Sequence, residues 1–450
     1  MRFGLFILAI IGLLAASPKF VLAYDDLPVH ATHEARTDRT DFASDSYATP
    51  IYIRRIEIRG LKKTRPITVL RELPFTTGDA WRDSDKATGE RRLRNTGLFA
   101  EAIITPPDEN GVVDIWVRDR WSLFLLPEAS RSDIGKTSAG FALTEHNMWG
   151  LHHQVRIASR EETGKNFSSL KGTTASGSYL WRRINNGPID LSVSASTGRR
   201  VFDAFQDAQL SSQYEERNVN WGTRVSYAFG PVPGEGWSSI LGFTSDTSNF
   251  TLVSGPIQTN VINRRRNAMQ AGVAYRFIDD NITWLTGTNF DYTWDIAHKA
   301  LGSSINSYRQ TGSLSSHIPL TDGGTTFDFR VNGGGVTGNV LRDGLFDIGN
   351  NHGLRGYLPG ELQGTYYLYS NLEGRMPIKP GSNFQLVGFT DVGQIWNSGT
   401  KALGKNLIVG VGAGARLTLR WLVHGTFRSD VAYGLATSRW RFYFGTGQAF

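Results

Sequence analysis

From about residue 121 onward the chain alternates apolar and polar positions with a period of two. In 190–198, Leu191, Val193 and Ala195 fall on one side, and Ser192, Ser194 and Ser196 on the other. In 221–229, Trp221, Val225, Tyr227 and Phe229 oppose Gly222, Arg224, Ser226 and Ala228. Met269, Ala271, Val273, Tyr275 and Phe277 alternate with Gln270, Gly272, Ala274 and Arg276. Ile282, Trp284, Phe290, Tyr292 and Trp294 are expected to share a face opposite Asn289, Asp291 and Thr293. The longest run is 407–421, where Leu407, Val409, Val411, Ala413, Ala415, Leu417, Leu419 and Trp421 oppose Gly410, Gly412, Gly414, Arg416, Thr418 and Arg420. Successive side chains of a strand point to opposite faces, so this period predicts strands with one apolar and one polar face. A soluble sandwich would alternate in the same way. Two features favour a membrane barrel: runs longer than the usual 5–6 residues, and aromatics near strand ends with Arg, Asp and Asn mid-strand on the polar face. A tilted strand crosses a bilayer in about 9–11 residues. At roughly 20 residues per strand with its loop, the segment predicts about 16 antiparallel strands, an even number as bacterial barrels have.

Residues 51–120 follow a different rhythm. Ile51, Ile53, Ile56 and Ile58 open as a strand that Gly60 ends. Pro66 suits the first turn of a short helix through Val69, Leu70 and Leu73. Asp83 is the expected N-cap of a second helix running to Leu93, with Gly97 at its end. Leu98, Phe99, Ala102, Ile103 and Ile104 form the next strand. Asn110-Gly111 is a strong hairpin signal before Val112, Val113, Ile115 and Val117. The predicted order is β-α-α-β-β, a small α+β domain.

The first residues change the picture of where the chain resides. Met1-Arg2 is followed by a nearly continuous apolar run over 3–16, and Val21-Leu22-Ala23 places small residues where a signal peptidase reads. Residues 1–23 are therefore expected to be a secretory signal, the alternative being a retained anchor. Residues 24–50 are polar, rich in Asp, Thr and Ser, and are expected to be a flexible lead-in. The mean hydropathy of −0.27 excludes a bundle of membrane helices, which need runs of about 20 apolar residues. The 50 Gly and 12 % aromatic residues fit strands better than a soluble enzyme core. The net charge of +7 comes from Arg scattered along the chain, which argues against nucleic acid as a partner. The lack of Cys removes disulfides and Cys-based metal sites.

The stretch RRLRNTGLFAEAIITPPDENGVVDIWV (91–117) resembles a POTRA (polypeptide-transport-associated) domain, through Leu93, Gly97, Leu98, Phe99 and the closing hairpin. Another small α+β domain is the alternative. The segment GNNHGLRGYLPGELQGTYYLYSNLEGRMPI (349–378) resembles the signature of the BamA/TamA outer-membrane assembly and translocation superfamily. Leu354-Arg355-Gly356-Tyr357 and then Asn371, Glu373 and Arg375 carry that resemblance, and Phe389-Thr390-Asp391-Val392-Gly393 resembles the family's next strand. Residues 140–150 resemble its first barrel strand and turn, which sets the first and last strands near 138–146 and 440–450. Phe442, Phe444, Gly447 and Phe450 resemble the family's C-terminal strand signal. Many members carry two to five POTRA domains, whereas one is legible here.

The resemblance implies an all-β transmembrane barrel over 121–450 behind a periplasmic POTRA-like domain over 51–120. It implies an outer-membrane location and an Arg-Gly-aromatic loop folded into the lumen. By that reading Arg355 pairs with Glu373 or Asp391, beside Gly356 and Tyr357, and holds the loop inside. Alternation independently turns Asn371, Glu373, Arg375 and Asp391 inward, because Leu368, Leu372, Met376, Leu386 and Val392 take the lipid side. The alternative is a solvated loop arginine beside ordinary lumen carboxylates.

Catalytic motifs are lacking in the sequence. No G-x-S-x-G elbow and no G-x-x-x-x-G-K-[ST] loop occurs, and His152-His153, adjacent on a strand, would diverge. The expectation is a non-enzymatic protein without metal or cofactor. The expected partners are the outer-membrane bilayer, unfolded outer-membrane or secreted polypeptides, and periplasmic accessory proteins. Two mechanisms follow from the resemblance: insertion of clients by lateral opening of the seam, or secretion of a partner through the lumen. A plain pore is a third class.

Overall fold

The computed structural model describes residues 51–131, 136–164, 172–206, 209–341, 344–349, 353–358, 360–397 and 407–446. The expected signal and lead-in (1–50), together with Gly447 and Phe450, lie outside the described residues. No helix among the described residues is long and apolar enough to cross a membrane.

Residues 51–120 form β1 (Arg55–Arg59), α1 (Pro66–Leu70), α2 (Asp83–Asn95), β2 (Phe99–Ile104) and β3 (Val112–Asp119). The sheet order is β1-β3-β2, with β1 parallel and β2 antiparallel to β3. Pro66 occupies the first turn of α1, where its missing N–H costs nothing. The N-cap of α2 is Arg82, so the expected Asp83 falls one residue inside the helix. Asp85 explains the shift: its carboxylate accepts from the Arg82 backbone N–H at 3.2 Å, so the acid caps from the helix's third position. Acids in the first turn and Arg92 and Arg94 in the last complement the helix dipole. Ile53, Val69, Leu73, Phe75, Leu93, Leu98, Phe99, Ile104, Val113, Ile115 and Val117 make the core. Each such side chain contributes about 1.5–3 kcal/mol on burial.

The rest is one antiparallel sheet of sixteen strands. In chain order these are β4 (Leu123–Arg131), β5 (Lys136–Met148), β6 (His153–Gly164), β7 (Gly172–Trp181), β8 (Ile189–Gln206), β9 (Gln209–Ala228), β10 (Glu235–Ser254), β11 (Arg264–Asp280), β12 (Leu285–Ala297), β13 (Ser307–Pro319) and β14 (Thr326–Gly338). A loop carrying the short pair β15 (Phe346–Asp347) and β16 (Gln363–Gly364) follows, then β17 (Tyr366–Pro377), β18 (Phe384–Trp396), β19 (Ile408–Thr418), β20 (Thr426–Gly434) and β21 (Arg439–Thr446). Each strand of the sixteen pairs with its sequence neighbour, β14 with β17 across the loop. The outward face carries the apolar set: Trp221, Leu241, Met269, Phe277, Leu372, Leu386, Leu417 and Phe442 are all exposed. The inward face carries Asn371, Glu373, Arg375, Asp391, Arg416 and Asp430, all buried.

Three further expectations are corrected. The segment 138–146 lies on β5, the second strand; the sheet begins one hairpin earlier, at β4. The run LFLLP at 123–127 hides β4, because it does not alternate and Pro127 argues against a strand. Pro is tolerated at a sheet edge, which is where β4 stands. Ile282 and Trp284 sit in the β11–β12 turn rather than on β12, which begins at Leu285. The Asp280 carboxylate accepts from the Ile282 N–H at 2.7 Å, ending β11 and holding Ile282 at φ 73°. Likewise β19 ends at Thr418, so Leu419 and Trp421 belong to the following turn.

The small domain is clamped to the barrel turns on its side. Val423, from the β19–β20 turn, is 1 % exposed inside the domain's own core. Trp121 donates its N–H to the Trp421 carbonyl (2.8 Å) and accepts from Val423 N–H (3.1 Å). Thr68 Oγ1 donates to the Gly150 carbonyl at 2.8 Å, and Asn95 bonds the backbone of both Ile278 and Asp280. Arg91 and Arg92 pair with Glu235 at 2.7 and 3.0 Å.

Candidate functional site: an arginine loop inside the barrel

The loop between β14 and β17 has its own apolar core. Phe346, Ile348, Leu354 and Tyr357 pack with Val336 and Tyr367 of the wall. Burying this set brings the loop into the lumen and leaves Arg355 only 1 % exposed. A buried guanidinium is costly unless paired and fully hydrogen-bonded. Here it is. Nε and Nη2 donate to the two oxygens of Asp391, both at 2.7 Å, a bidentate fork. Nη1 donates to Glu373 Oε1 at 2.5 Å, and the Arg355 backbone N–H adds a bond to Asp391 Oδ2 at 3.0 Å. The guanidinium also lies 3.4 Å from the centre of the Phe389 ring. The sequence offered Glu373 or Asp391 as partner; the geometry uses both.

Neighbouring strands extend the network. Arg375 joins Glu373 (2.9 Å) to Asp328 (2.6 Å), and Arg416 pairs with Asp430 at 2.5 Å. Asn371 Nδ2 donates to Asp391 Oδ1 and to the Gly353 carbonyl, both at 2.8 Å. Positive and negative groups thus alternate across β14, β17, β18, β19 and β20. Asp328, Arg416 and Asp430 were not singled out in the sequence as part of this cluster. The same period of two that turned Glu373 inward also turns Asp430 inward, but it does not say which inward groups become neighbours.

The two residues after Arg355 fix the tip. Gly356 has φ 96°, and a Cβ there would come within 2.7–2.9 Å of Gly434 backbone. Its N–H donates to Tyr443 Oη at 2.9 Å, which ties the loop to β21. Tyr357 is buried, and its hydroxyl donates to the Val409 carbonyl at 2.8 Å. Gly410 of β19 is required by the same contact, since a Cβ would sit 2.0 Å from the Arg355 carbonyl. Of the expected terminal-strand residues, Phe442 and Phe444 project outward from β21 and are strongly exposed.

The fold and this site define a class: a sixteen-stranded transmembrane barrel holding a charged loop in its lumen, with a small α+β domain at one mouth. An Omp85 superfamily domain matches residues 161–450, and the chain belongs to that superfamily. It is similar to the outer membrane protein assembly factor BamA of Neorickettsia risticii (21 % identical, covering 68 % of this chain and 40 % of the relative). It is also similar to that of Nitratidesulfovibrio vulgaris (23 % identical, 39 % and 23 %). The chain thus spans less than half the length of these relatives. Among solved structures it resembles BamA of Haemophilus ducreyi lacking POTRA domains 1–3, at TM-score 0.53 and 16 % identity over 88 % of this chain and 84 % of that one. CdiB of Escherichia coli matches at TM-score 0.58 and 12 % identity, over 88 % and 74 %. CdiB of Acinetobacter baumannii matches at 0.56 and 17 %, over 88 % and 73 %. These likenesses are of fold.

Proposed function

We propose that the protein is an outer-membrane assembly factor that receives unfolded clients at its small periplasmic, POTRA-like domain and inserts them through the barrel seam. The observation that carries this reading is the seam itself. β4 and β21 stand at the two ends of the sixteen-strand order, and no ladder joins them among the described residues. Backbone groups left unpaired in lipid cost several kcal/mol each, so such an edge is a template for a client strand. The free edges of β1 and β2 offer the same main-chain recognition outside the membrane. Client folding supplies the free energy, without nucleotide.

Secretion through the lumen is the competing reading. It requires both the arginine loop and the docked domain to move aside, whereas seam opening requires neither to leave. An engineered cysteine pair across the β4–β21 seam discriminates. Oxidation is expected to abolish client insertion and to be reversed by reductant. Unimpaired insertion in the locked protein would overturn the proposal, and surviving secretion would favour the conduit. The Arg355–Asp391–Glu373 cluster is assigned the role of holding the loop in the insertion-competent position. In a deletion strain, outer-membrane protein content is expected to fall.

A further inference from the structure

A cavity of about 570 Å³ lies where the small domain meets the barrel mouth, far along the chain from the arginine loop. It is lined by residues of α2, by the linker residue Arg120, and by the turns and strand ends around β7, β11 and β19. Six arginines face four carboxylates there. Three of the six are satisfied locally. Arg92 pairs with Glu235 and Arg183 with Glu72, each at 3.0 Å. Arg420 bonds Asn383 Oδ1 and the Gly381 carbonyl.

Arg120, Arg182 and Arg276 are left, in a lining they share with Asp280. Arg120 is 8 % exposed, yet its Nε and Nη2 have no acceptor; its Nη1 alone donates, to the Gly97 carbonyl at 3.2 Å. Arg182 Nε is likewise buried without an acceptor, and its nearest carboxylate, Asp190, is 3.9 Å away. One oxygen of the Asp280 carboxylate accepts from the Ile282 N–H, and its backbone is bonded by Asn95 and Arg94. Buried donors are rarely left unmade in native proteins, and each costs the desolvation of the group.

We propose that this cavity is a binding site for a phosphate-type oxyanion, gripped by Arg120, Arg182 and Arg276. A guanidinium presents planar paired donors that match phosphate oxygens, and the excess of arginine over carboxylate suits a dianion. Burial, with the Arg182 charge beside them, pushes His152 well below the usual histidine range and lowers His424 as well. The ligand bridges the small domain's linker to the barrel wall, so its binding also fastens the domain to the mouth.

The test uses the full chain in neutral detergent micelles, titrated with inorganic phosphate by calorimetry. Saturable binding is expected, and Arg276→Gln and Arg120→Gln should each weaken it by about tenfold or more, the loss of a charge-assisted contact. Arg276 lies on the lumen face of β11, so Arg276→Gln keeps the test available if Arg120→Gln misfolds, with heat-dependent gel mobility reporting the folded barrel. Arg217→Gln, on the exposed outer part of β9, should bind as the parent does. A parallel titration with short-chain phosphatidylglycerol distinguishes the source: binding there and not to inorganic phosphate, at the same arginines, assigns the phosphate of a lipid headgroup. No saturable binding to either probe, or equal binding by all variants, overturns the proposal.

Discussion

Arg355 answers to geometry as much as to charge. Its fork reaches Asp391 with two donors and Glu373 with a third, an arrangement a lysine cannot copy. Arg355→Lys is therefore expected to impair insertion nearly as much as Arg355→Ala, while the barrel still accumulates. Glu373 keeps its pair with Arg375, but leaving the Asp391 carboxylate buried without its arginine costs about 3–5 kcal/mol locally. The check is client insertion at matched barrel levels; full activity in Arg355→Lys would refute the geometric claim. Gly356→Ala should loosen the same tip, because of its φ of 96° and the Gly434 backbone against it. A second loop residue gives a pH signature. Burial pushes the Asp347 carboxyl up to about 6, against the stabilising backbone N–H groups of Gly360 and Gly349. The folded loop thus holds a proton that the released loop gives up, so seating is strongest at low pH. It weakens as pH rises from the ordinary carboxyl range through about 6, and is unchanged beyond. Protease cleavage within the loop should increase over that window, and Asp347→Asn should abolish the change.

At the scale of elements, β21 serves two contacts at once. Its outward face offers Phe442 and Phe444 to lipid, and its inward Tyr443 receives the Gly356 N–H. A charge on the outward face of a barrel strand costs about 2–4 kcal/mol near the bilayer midplane. Phe444→Arg is accordingly expected to lower the amount of folded barrel, read by heat-dependent gel mobility, whereas Tyr443→Phe should leave assembly intact and release the loop tip. Equal folding yields for Phe444→Arg and the parent would place that face away from lipid. Strands β8, β9 and β10, at 18–20 residues, are about twice the length a bilayer requires. Their ends at Ile189, Ala228 and Glu235 lie on the side of the small domain, so the excess extends from the opposite mouth.

Across the whole molecule, the small domain and the barrel share a core through Val423. Val423→Asp would place a carboxylate among apolar side chains without a partner, a cost of several kcal/mol. The expected result is a protease-sensitive small domain beside a barrel of normal stability, measured by limited proteolysis. Protection equal to the parent would show that the ion pairs of Arg91 and Arg92 with Glu235 suffice to hold the domain. The inward loop's ties reach β17, β18 and β21, so of the two strands at the ends of the sheet it holds β21.

An antiparallel barrel of about sixteen strands, and the side chains that face inward along it, were legible in the sequence alone. Both follow from a local rule, since neighbouring side chains of a strand must point opposite ways and the solvent on each face differs. It also put Arg355, Glu373 and Asp391 in one cluster by resemblance. The sequence did not reveal β4, whose Pro127 is permitted only because the strand is an edge, and edges are defined by topology. Nor did it assign Asp328, Arg416 and Asp430 to the ion network, or gather Arg120, Arg182 and Arg276 around one cavity. Those groups are far apart in the chain, and only closing the sheet and docking the domain on its mouth brings their charges within reach of one another.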